Sequence, residues 1–594
     1  MQKKLVELIR SRMKQLEIDA YTIPGTDPHM SEYVPFYFRR REFVTGFTGS
    51  AGDGVITQDK AGMWTDSRYF LQAEKQLKNT PFRLMKLGEP DCPAIEQWLK
   101  TNLKPGQAAG VDPMLMSEDA WGRFSDALSE RKIKLKAVRP NLVDEIWKDR
   151  PAPPDAAVNV HDNAYTGQSV DEKLQELRKS MKENNVDYTV LSMLDEIAWL
   201  FNIRGGDVEY IPVVIAYALA GMDSASIFLD MQKLTDRASE HLKKYTAVKP
   251  YGDFEKELNR IAGSNASVWI DPATASRWIV DVLDGARITK RRSRIMEMKA
   301  EKNEVEIAGI RSCHVRDGVS MVKFLYWIET GVGKKDISEI SAAEKLLSFR
   351  AENDLFMGAS FETITGFRQN GAIVHYAPTK ETDLKLEPEG IFLVDSGGQY
   401  LDGTTDITRT MPLGNPTDEQ KMRFTEVLAG NIRLSRLRFP RGTAGRQLDT
   451  VARIPLWEAG VNFGHGVGHG VGHYLSVHEG PQAISHARCP GQPLVPGMVV
   501  SIEPGYYKAG EYGIRTENLA VVVEDEETKD ADQQFYRFEI LTLCPIDTRL
   551  VEKSALSPAD TEWFNAYHKR VYETLAPLLP ESEAQWLKVA CRPI

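Results

Sequence analysis

The run IFLVDSGGQYLDGTTDITRT (391–410) carries two aspartates, Asp395 and Asp406, placed to share one pocket. Four apolar residues bring Asp395 to the end of a predicted strand, a Ser-Gly-Gly turn follows, and the β-prone stretch 404–410 carries Asp406. Two carboxylates in one pocket repel each other unless a cation or a proton sits between them. Downstream, NFGHGVGHGVGHYLSVHEGP (462–481) concentrates His465, His469, His473 and His478, four of the chain's eleven histidines. The interleaved glycines argue against a helical His-x-x-x-His face; they let the backbone approach closely, so that imidazoles can gather round a small site. In MVVSIEPGYY (498–507) an apolar strand delivers Glu503 to a Pro-Gly turn, and a carboxylate in such a strand needs a partner. In GIRTENLAVVV (513–523), read as one strand, Arg515 and Glu517 stand two apart and share a face, which lets Arg515 orient a neighbouring ligand carboxylate.

Asp395, Asp406, His469, Glu503 and Glu517 together offer four carboxylates and one imidazole. An oxygen-rich set without thiolates suits two hard or borderline divalent ions such as Mn, Co or Zn. Two adjacent ions can share a bridging hydroxide as nucleophile and stabilise an oxyanion. Singly, each residue has a plainer reading: acids in a Gly-rich hairpin form turns, and a lone histidine packs in a core. Taken together, removing the ions would leave four buried negative charges facing each other, so the set predicts a two-metal hydrolase.

Positioning these residues falls to a long chain. At 594 residues it exceeds one core. A net charge of -10 argues against a general nucleic-acid binder, and no apolar run approaches the roughly 20 residues of a membrane span. The amphipathic start MQKKLVELIRSRMKQLEIDAY lacks an apolar signal core and flows straight into strand-like 20–23, so it is read as the first helix of the fold. Cys92, Cys313, Cys489, Cys544 and Cys591 are scattered and form no CxxC pair, as suits reduced thiols in a cytosol.

Residues 1–150 alternate helix and strand signals, including FVTGFTGSAGDGVIT as strand-turn-strand, and predict an α/β layer domain. GSAGDG lacks a following Gly-Lys-Ser/Thr and is read as a turn, not a phosphate loop. After the RPAPP linker, residues 155–296 repeat the opening: Met13-Lys14, Ile18-Asp19 and Tyr21-Thr22-Ile23 are echoed by Met181-Lys182, Val186-Asp187 and Tyr188-Thr189-Val190. The basic run KRRSR (290–294) is read as a solvated lead into a helical segment, 295–328. Residues 297–545 hold the candidate ligands, and 546–594 predict a helical extension with Trp563, Tyr567, Tyr572 and Leu578 at helical spacing.

DSGGQYLDGTTDITRT, HGVGHGVG…VHEGP, SIEPGYY and GIRTENL resemble the signature of the pita-bread metallopeptidases. With LDEIAWLFNIRGGDVEYIPV (194–213) and AIVHYAPT (372–379), the layout resembles the long, three-domain cytosolic type of the Xaa-Pro aminopeptidase (aminopeptidase P) family. The resemblance implies two creatinase-like N-terminal α/β domains, a C-terminal pita-bread catalytic domain, a cytoplasmic location and a homodimer. It implies removal of an N-terminal residue that precedes proline, with two Mn ions. By motif position, Asp406, His469, Glu503 and Glu517 hold one ion and Asp395, Asp406 and Glu517 the other. Glu503 also matches the family's proton-shuttling glutamate. His375 and His478 match histidines at the scissile carbonyl and leaving side, and His465 the wall of the proline pocket. His473 matches no functional position, and Arg68 is a candidate to reach a partner subunit's site.

Overall fold

The apolar stripe of the first helix, Gln2–Gln15, turns Leu5, Val6, Ile9 and Met13 into the interior. The chain then enters a strand, Ala20–Ile23 (β1), as the helix-then-strand signal predicts. The computed structural model describes residues 1–486 and 491–594. It divides into two compact units, Met1–Asp162 with Gln168–Ile295, and Asn163–Gly167 with Met296–Ile594.

In the first unit, β2 (Asp53–Thr57), β3 (Ala61–Thr65), β4 (Arg83–Lys86), β5 (Ala108–Val111) and β6 (Lys134–Ala137) join β1 in the order β4-β3-β2-β1-β5-β6. The chain continues through β7 (Asn159–Val160), β8 (Tyr188–Leu191), β9 (Ile203–Arg204), β10 (Ala216–Gly221), β11 (Ala225–Leu229), β12 (Ala247–Pro250), β13 (Ser267–Ile270) and β14 (Arg287–Lys290). Here β7 and β9 form a two-stranded antiparallel sheet, and the rest form a sheet ordered β12-β11-β10-β8-β13-β14. Taken in chain order, the strands of each six-stranded sheet lie fourth, third, second, first, fifth, sixth. Pairing sense agrees too, since in each sheet the two neighbouring pairs among the first three strands are antiparallel and the remaining neighbouring pairs are parallel. The sequence echo at Tyr21 and Tyr188 falls on the equivalent strands β1 and β8.

One predicted strand does not form. Residues 43–45 belong to a short helix, Arg40–Thr45, which Gly46 closes in the left-handed conformation at φ 76°. A glycine in that place stops a helix as readily as it makes a turn. Arg40 anchors the helix through a bidentate pair with the distant Asp144 (2.7 and 2.9 Å), which no local pattern announces. The GSAGDG stretch leads into β2, so no helix N-terminus is offered to an anion.

The second unit contains β15 (Phe356–Ala359), β16 (Ile364–Phe367), β17 (Ile391–Ser396), β18 (Gly398–Tyr400), β19 (Gly403–Thr404), β20 (Ile407–Pro412) and β21 (Arg438–Pro440). It continues with β22 (Gly468–Gly470), β23 (Glu479–Ile484), β24 (Val499–Ile502), β25 (Gly505–Lys508), β26 (Tyr512–Arg515), β27 (Asn518–Glu524) and β28 (Phe535–Ile540). These form β16-β17-β20, β15-β18-β19, the hairpin β25-β26 and the six-stranded β21-β28-β27-β24-β22-β23. Phe424, Val427 and Leu428 of the helix Asp418–Ser435, with Leu448 and Ala452 of Gly445–Glu458, pack on Val500, Ile502, Ala520 and Val522 of this unit's six-stranded sheet. The tail is helical at Pro558–Leu575 and Glu581–Ala590, and it buries Phe564, Tyr567, Val571, Leu575 and Leu587 in the same core.

Two further readings are corrected. The helical segment 295–328 is two helices, Arg294–Ala300 and Glu304–Gly331, because Asn303 caps the second through the Val305 and Glu306 amides. The run 513–523 is two strands, β26 and β27, in different sheets, with Thr516 and Glu517 between them. Cys92, Cys313, Cys544 and Cys591 are free thiols; Cys489 lies outside the described residues. Among the described residues no helix is long and apolar enough to cross a membrane.

Candidate metal centre

Strand β17 pairs antiparallel with β20, so Asp395 near the end of one strand and Asp406 just before the other return to the same end of the sheet. His469 lies at the centre of β22. Its flanking glycines are required by packing, since a Cβ at Gly468 would collide with the Ser501 carbonyl and one at Gly470 with the Glu479 carbonyl. β24 ends one residue before Glu503. Glu517 occupies the break between β26 and β27; its N–H donates to the Thr408 carbonyl (3.2 Å) and its carboxylate accepts from Thr408 Oγ1 (2.8 Å).

Ligand atoms of Asp406, His469 and Glu517 all lie within 4.8 Å of one another. His469 Nε2 is 3.4 Å from Asp406 Oδ2 and 3.5 Å from Glu503 Oε1. Its Nδ1 is 2.9 Å from the Gly470 carbonyl. A carbonyl only accepts, so Nδ1 carries the hydrogen, and in the neutral ring the Nε2 lone pair faces the carboxylates. Asp395 Oδ2 accepts from Arg515 Nη2 at 2.5 Å. Asp395 Oδ1 and Asp406 Oδ1 are buried with no hydrogen-bond donor among the described residues.

The electrostatics show what this cluster lacks. Burial lifts the Asp395 carboxyl to about 7, against the pull of Arg515 and with the push of Asp406. Burial also holds Glu503 above the usual carboxylate range. Glu517 stands well above that range, mainly through burial, with repulsion from Asp406, Glu503 and Asp395 added. Burial alone would lower His469, but Asp406 and Glu503 override it and raise the imidazole to about 9. Positive charge at this point would satisfy the two orphaned oxygens, meet the Nε2 lone pair and offset the repulsion. Four carboxylates and one imidazole form a hard-to-borderline donor set, and these residues fit divalent cations.

Of the other predicted residues, His478 and Arg515 touch this cluster directly. The His478 ring meets His469 edge-on, with centroids 4.3 Å apart. His465 Nε2 is 2.8 Å from the Tyr507 hydroxyl, and its ring lies 4.7 Å from that of Phe463. His375 follows the helical turn Arg368–Ala372, and Arg515 Nη2 donates to the neighbouring Val374 carbonyl (3.4 Å). Arg515 does not share a strand face with Glu517, as the one-strand reading required; it reaches Asp395 from β26, and Glu517 lies beyond that strand's end. His473 Nδ1 lies 3.9 Å from Glu306 Oε1. Arg68, in the first unit, forms a bidentate pair with Asp66 (2.8 and 2.7 Å).

Sequence reasoning missed two supports, Tyr507 and Glu339. The Tyr507 hydroxyl accepts from Arg515 Nη1 (2.7 Å) and so joins that guanidinium to His465; its place in SIEPGYY was the available signal. Glu339 gave none. Fully buried, it accepts from the Phe367 (2.7 Å) and Leu384 (2.9 Å) amides, Asn370 Nδ2 (3.0 Å) and the Tyr376 hydroxyl (2.8 Å), and thereby clamps the segment carrying His375 at both ends.

Comparison with known proteins agrees. A family model described as metallopeptidase family M24 matches residues 308–524, and one for the C-terminal region of peptidase M24 matches 534–594. Two creatinase/prolidase N-terminal domain models match 6–145 and 149–306. Fold and site thus define an M24 metallopeptidase of mixed α/β build, in which creatinase-type N-terminal domains are followed along the chain by a pita-bread domain. Aminopeptidase P2 of Arabidopsis thaliana is 41% identical over 97% of this chain and 86% of its own length. A probable Xaa-Pro aminopeptidase P of Aspergillus oryzae is 40% identical, covering 99% of this chain and 92% of its own length. The crystal structure of X-prolyl aminopeptidase from Caenorhabditis elegans, described as a cytosolic enzyme with a di-nuclear active site, is 36% identical, matches both chains in full and gives a TM-score of 0.97. The chain belongs to the Xaa-Pro aminopeptidase P family.

Proposed function

We propose that this chain removes the N-terminal residue from peptides whose second residue is proline, using two divalent cations. The observation that carries this reading is the convergence of Asp406, His469 and Glu517 within 4.8 Å. In this reading Asp406, His469, Glu503 and Glu517 hold one cation, Asp395, Asp406 and Glu517 hold the other, and Arg515 orients Asp395. When bound, the cations supply the Lewis acidity that polarises the scissile carbonyl and acidifies a water. Glu503, whose Oε1 accepts from Ser501 Oγ (3.3 Å), takes the proton of the attacking water and passes it to the leaving proline nitrogen. His375 and His478 contact the scissile carbonyl and the leaving side. His465, packed among Phe463 and Tyr507, walls the proline ring.

An X-Pro bond is a tertiary amide without N–H, and its ring restricts the preceding residue. A general aminopeptidase that grips that N–H is excluded, and an aromatic-lined pocket is the expected substitute. Manganese as the resident metal, a homodimer and a cytoplasmic location complete the reading. They rest on the family likeness and on the cytosolic description of the C. elegans enzyme. The test is hydrolysis of Arg-Pro-Pro against Gly-Pro with Mn, Zn or Co added separately. Release of arginine from the tripeptide, fastest with Mn, is expected; cleavage of the dipeptide alone, or none that depends on metal, would refute the reading.

A further inference from the structure

Behind Glu517 lies a guanidinium that the proposed reaction does not use. Arg409, 3% exposed, donates through Nη1 to the Thr408 and Glu517 carbonyls (2.9 and 2.6 Å) and through Nε to the Pro545 carbonyl (3.1 Å). Its Nη2 reaches Asn518 Oδ1, the Cys544 carbonyl and the Tyr567 hydroxyl, each at 2.9 Å. All six acceptors are neutral oxygens, so none of them cancels the charge, and arginine stays protonated inside a protein. Tyr567, in the tail helix, also accepts from the Cys544 amide (3.3 Å). Glu517 is therefore held from both sides, its carboxylate by Thr408 and its main chain by Arg409, and Arg409 is in turn held by the tail.

We propose that Arg409 and Tyr567 are positioning residues for the metal centre, through which the first tail helix, Pro558–Leu575, fixes Glu517 and so sets cation affinity. The inference rests on the metal-binding reading above. Its test is equilibrium binding of Mn alone to the full chain, with thermal melting recorded beside it, for wild type, Tyr567→Phe, Arg409→Gln and Leu587→Ala. Leu587 is fully buried in the second tail helix, Glu581–Ala590, so Leu587→Ala costs stability while leaving the Tyr567 hydroxyl and Arg409 in place. Tyr567→Phe removes a single hydroxyl and is expected to weaken Mn binding several-fold, and Arg409→Gln by roughly 10-fold or more. Leu587→Ala is expected to lower the melting temperature while leaving Mn affinity as in wild type. Wild-type affinity in a folded Tyr567→Phe, or equal loss in Leu587→Ala, would overturn the inference while leaving the metal reading intact. A wild-type chain that binds no Mn would overturn both.

Discussion

Arg515 and Asp395, distant in sequence, meet across the metal centre, with Nη2 2.5 Å from Oδ2. The same guanidinium donates to Thr408 Oγ1 (3.1 Å) and to Tyr507 (2.7 Å). One rigid fork thus aims a candidate ligand, supports the residue that holds Glu517, and reaches the partner of His465.

A lysine at this place keeps the charge but loses the fork. Arg515→Lys is expected to weaken Mn binding by roughly 10–100-fold, the range found when partners of metal ligands are removed. Mn titration of the folded variant checks this; affinity within 2-fold or so of wild type would mean that Asp395 needs no such orientation.

Stripped of cations, the protein is expected to respond to pH differently from the loaded form. Asp395 titrates at about 7 in the folded chain, against about 3.9 unfolded. A raised folded pKa contributes stability that is fully present below the unfolded value and is lost as pH rises through the folded one. The gap in melting temperature between Mn-saturated and EDTA-treated protein should therefore widen from about pH 4 to about pH 7. Thermal melts across that window measure it, and a gap that narrows toward neutrality would contradict the assignment.

Glu339→Gln places an amide N–H₂ against donors that now meet a carboxylate. A cost of about 1–3 kcal/mol in stability is expected, together with a fall in kcat/KM as the His375 segment loosens. Tyr376→Phe, which removes one of these bonds, should lie between the variant and wild type. Melting and peptide hydrolysis read both effects, and wild-type behaviour in Glu339→Gln would show that the clamp is idle.

His568 supplies an acid-sensitive joint in the tail. Its Nε2 accepts from the Ile546 amide (3.0 Å), and burial followed by the charge of Arg409 lowers the imidazole to about 3. The unfolded chain takes up this proton near pH 6.5 and the folded one does not. Stability should thus fall as pH drops from about 6.5 toward 3, and His568→Asn should flatten that slope. Denaturant melts at stepped pH check it; an unchanged slope would assign the acid sensitivity elsewhere.

Much of the centre was legible because its residues are chemically conspicuous. Carboxylates at the ends of apolar strands and histidines among glycines have few structural uses, and the Gly468 and Gly470 contacts explain the glycines directly. The break before Glu517 was hidden, since GIRTENLAVVV is β-prone throughout and only its division between two sheets separates it. Arg40, Glu339 and Arg409 were illegible for a related reason. Each acts through partners far away in the chain, and a buried polar residue is unremarkable until its acceptors or donors are seen to converge.

The account is tested most directly by counting the Mn ions bound at equilibrium by wild type and by a variant, Asp406→Asn, that alters one of the two residues assigned to both sites. Two ions per wild-type chain are predicted, with both lost in the variant at concentrations that saturate wild type, and release of arginine from Arg-Pro-Pro lost with them. Fewer than two ions in wild type, or two retained in Asp406→Asn, would contradict it.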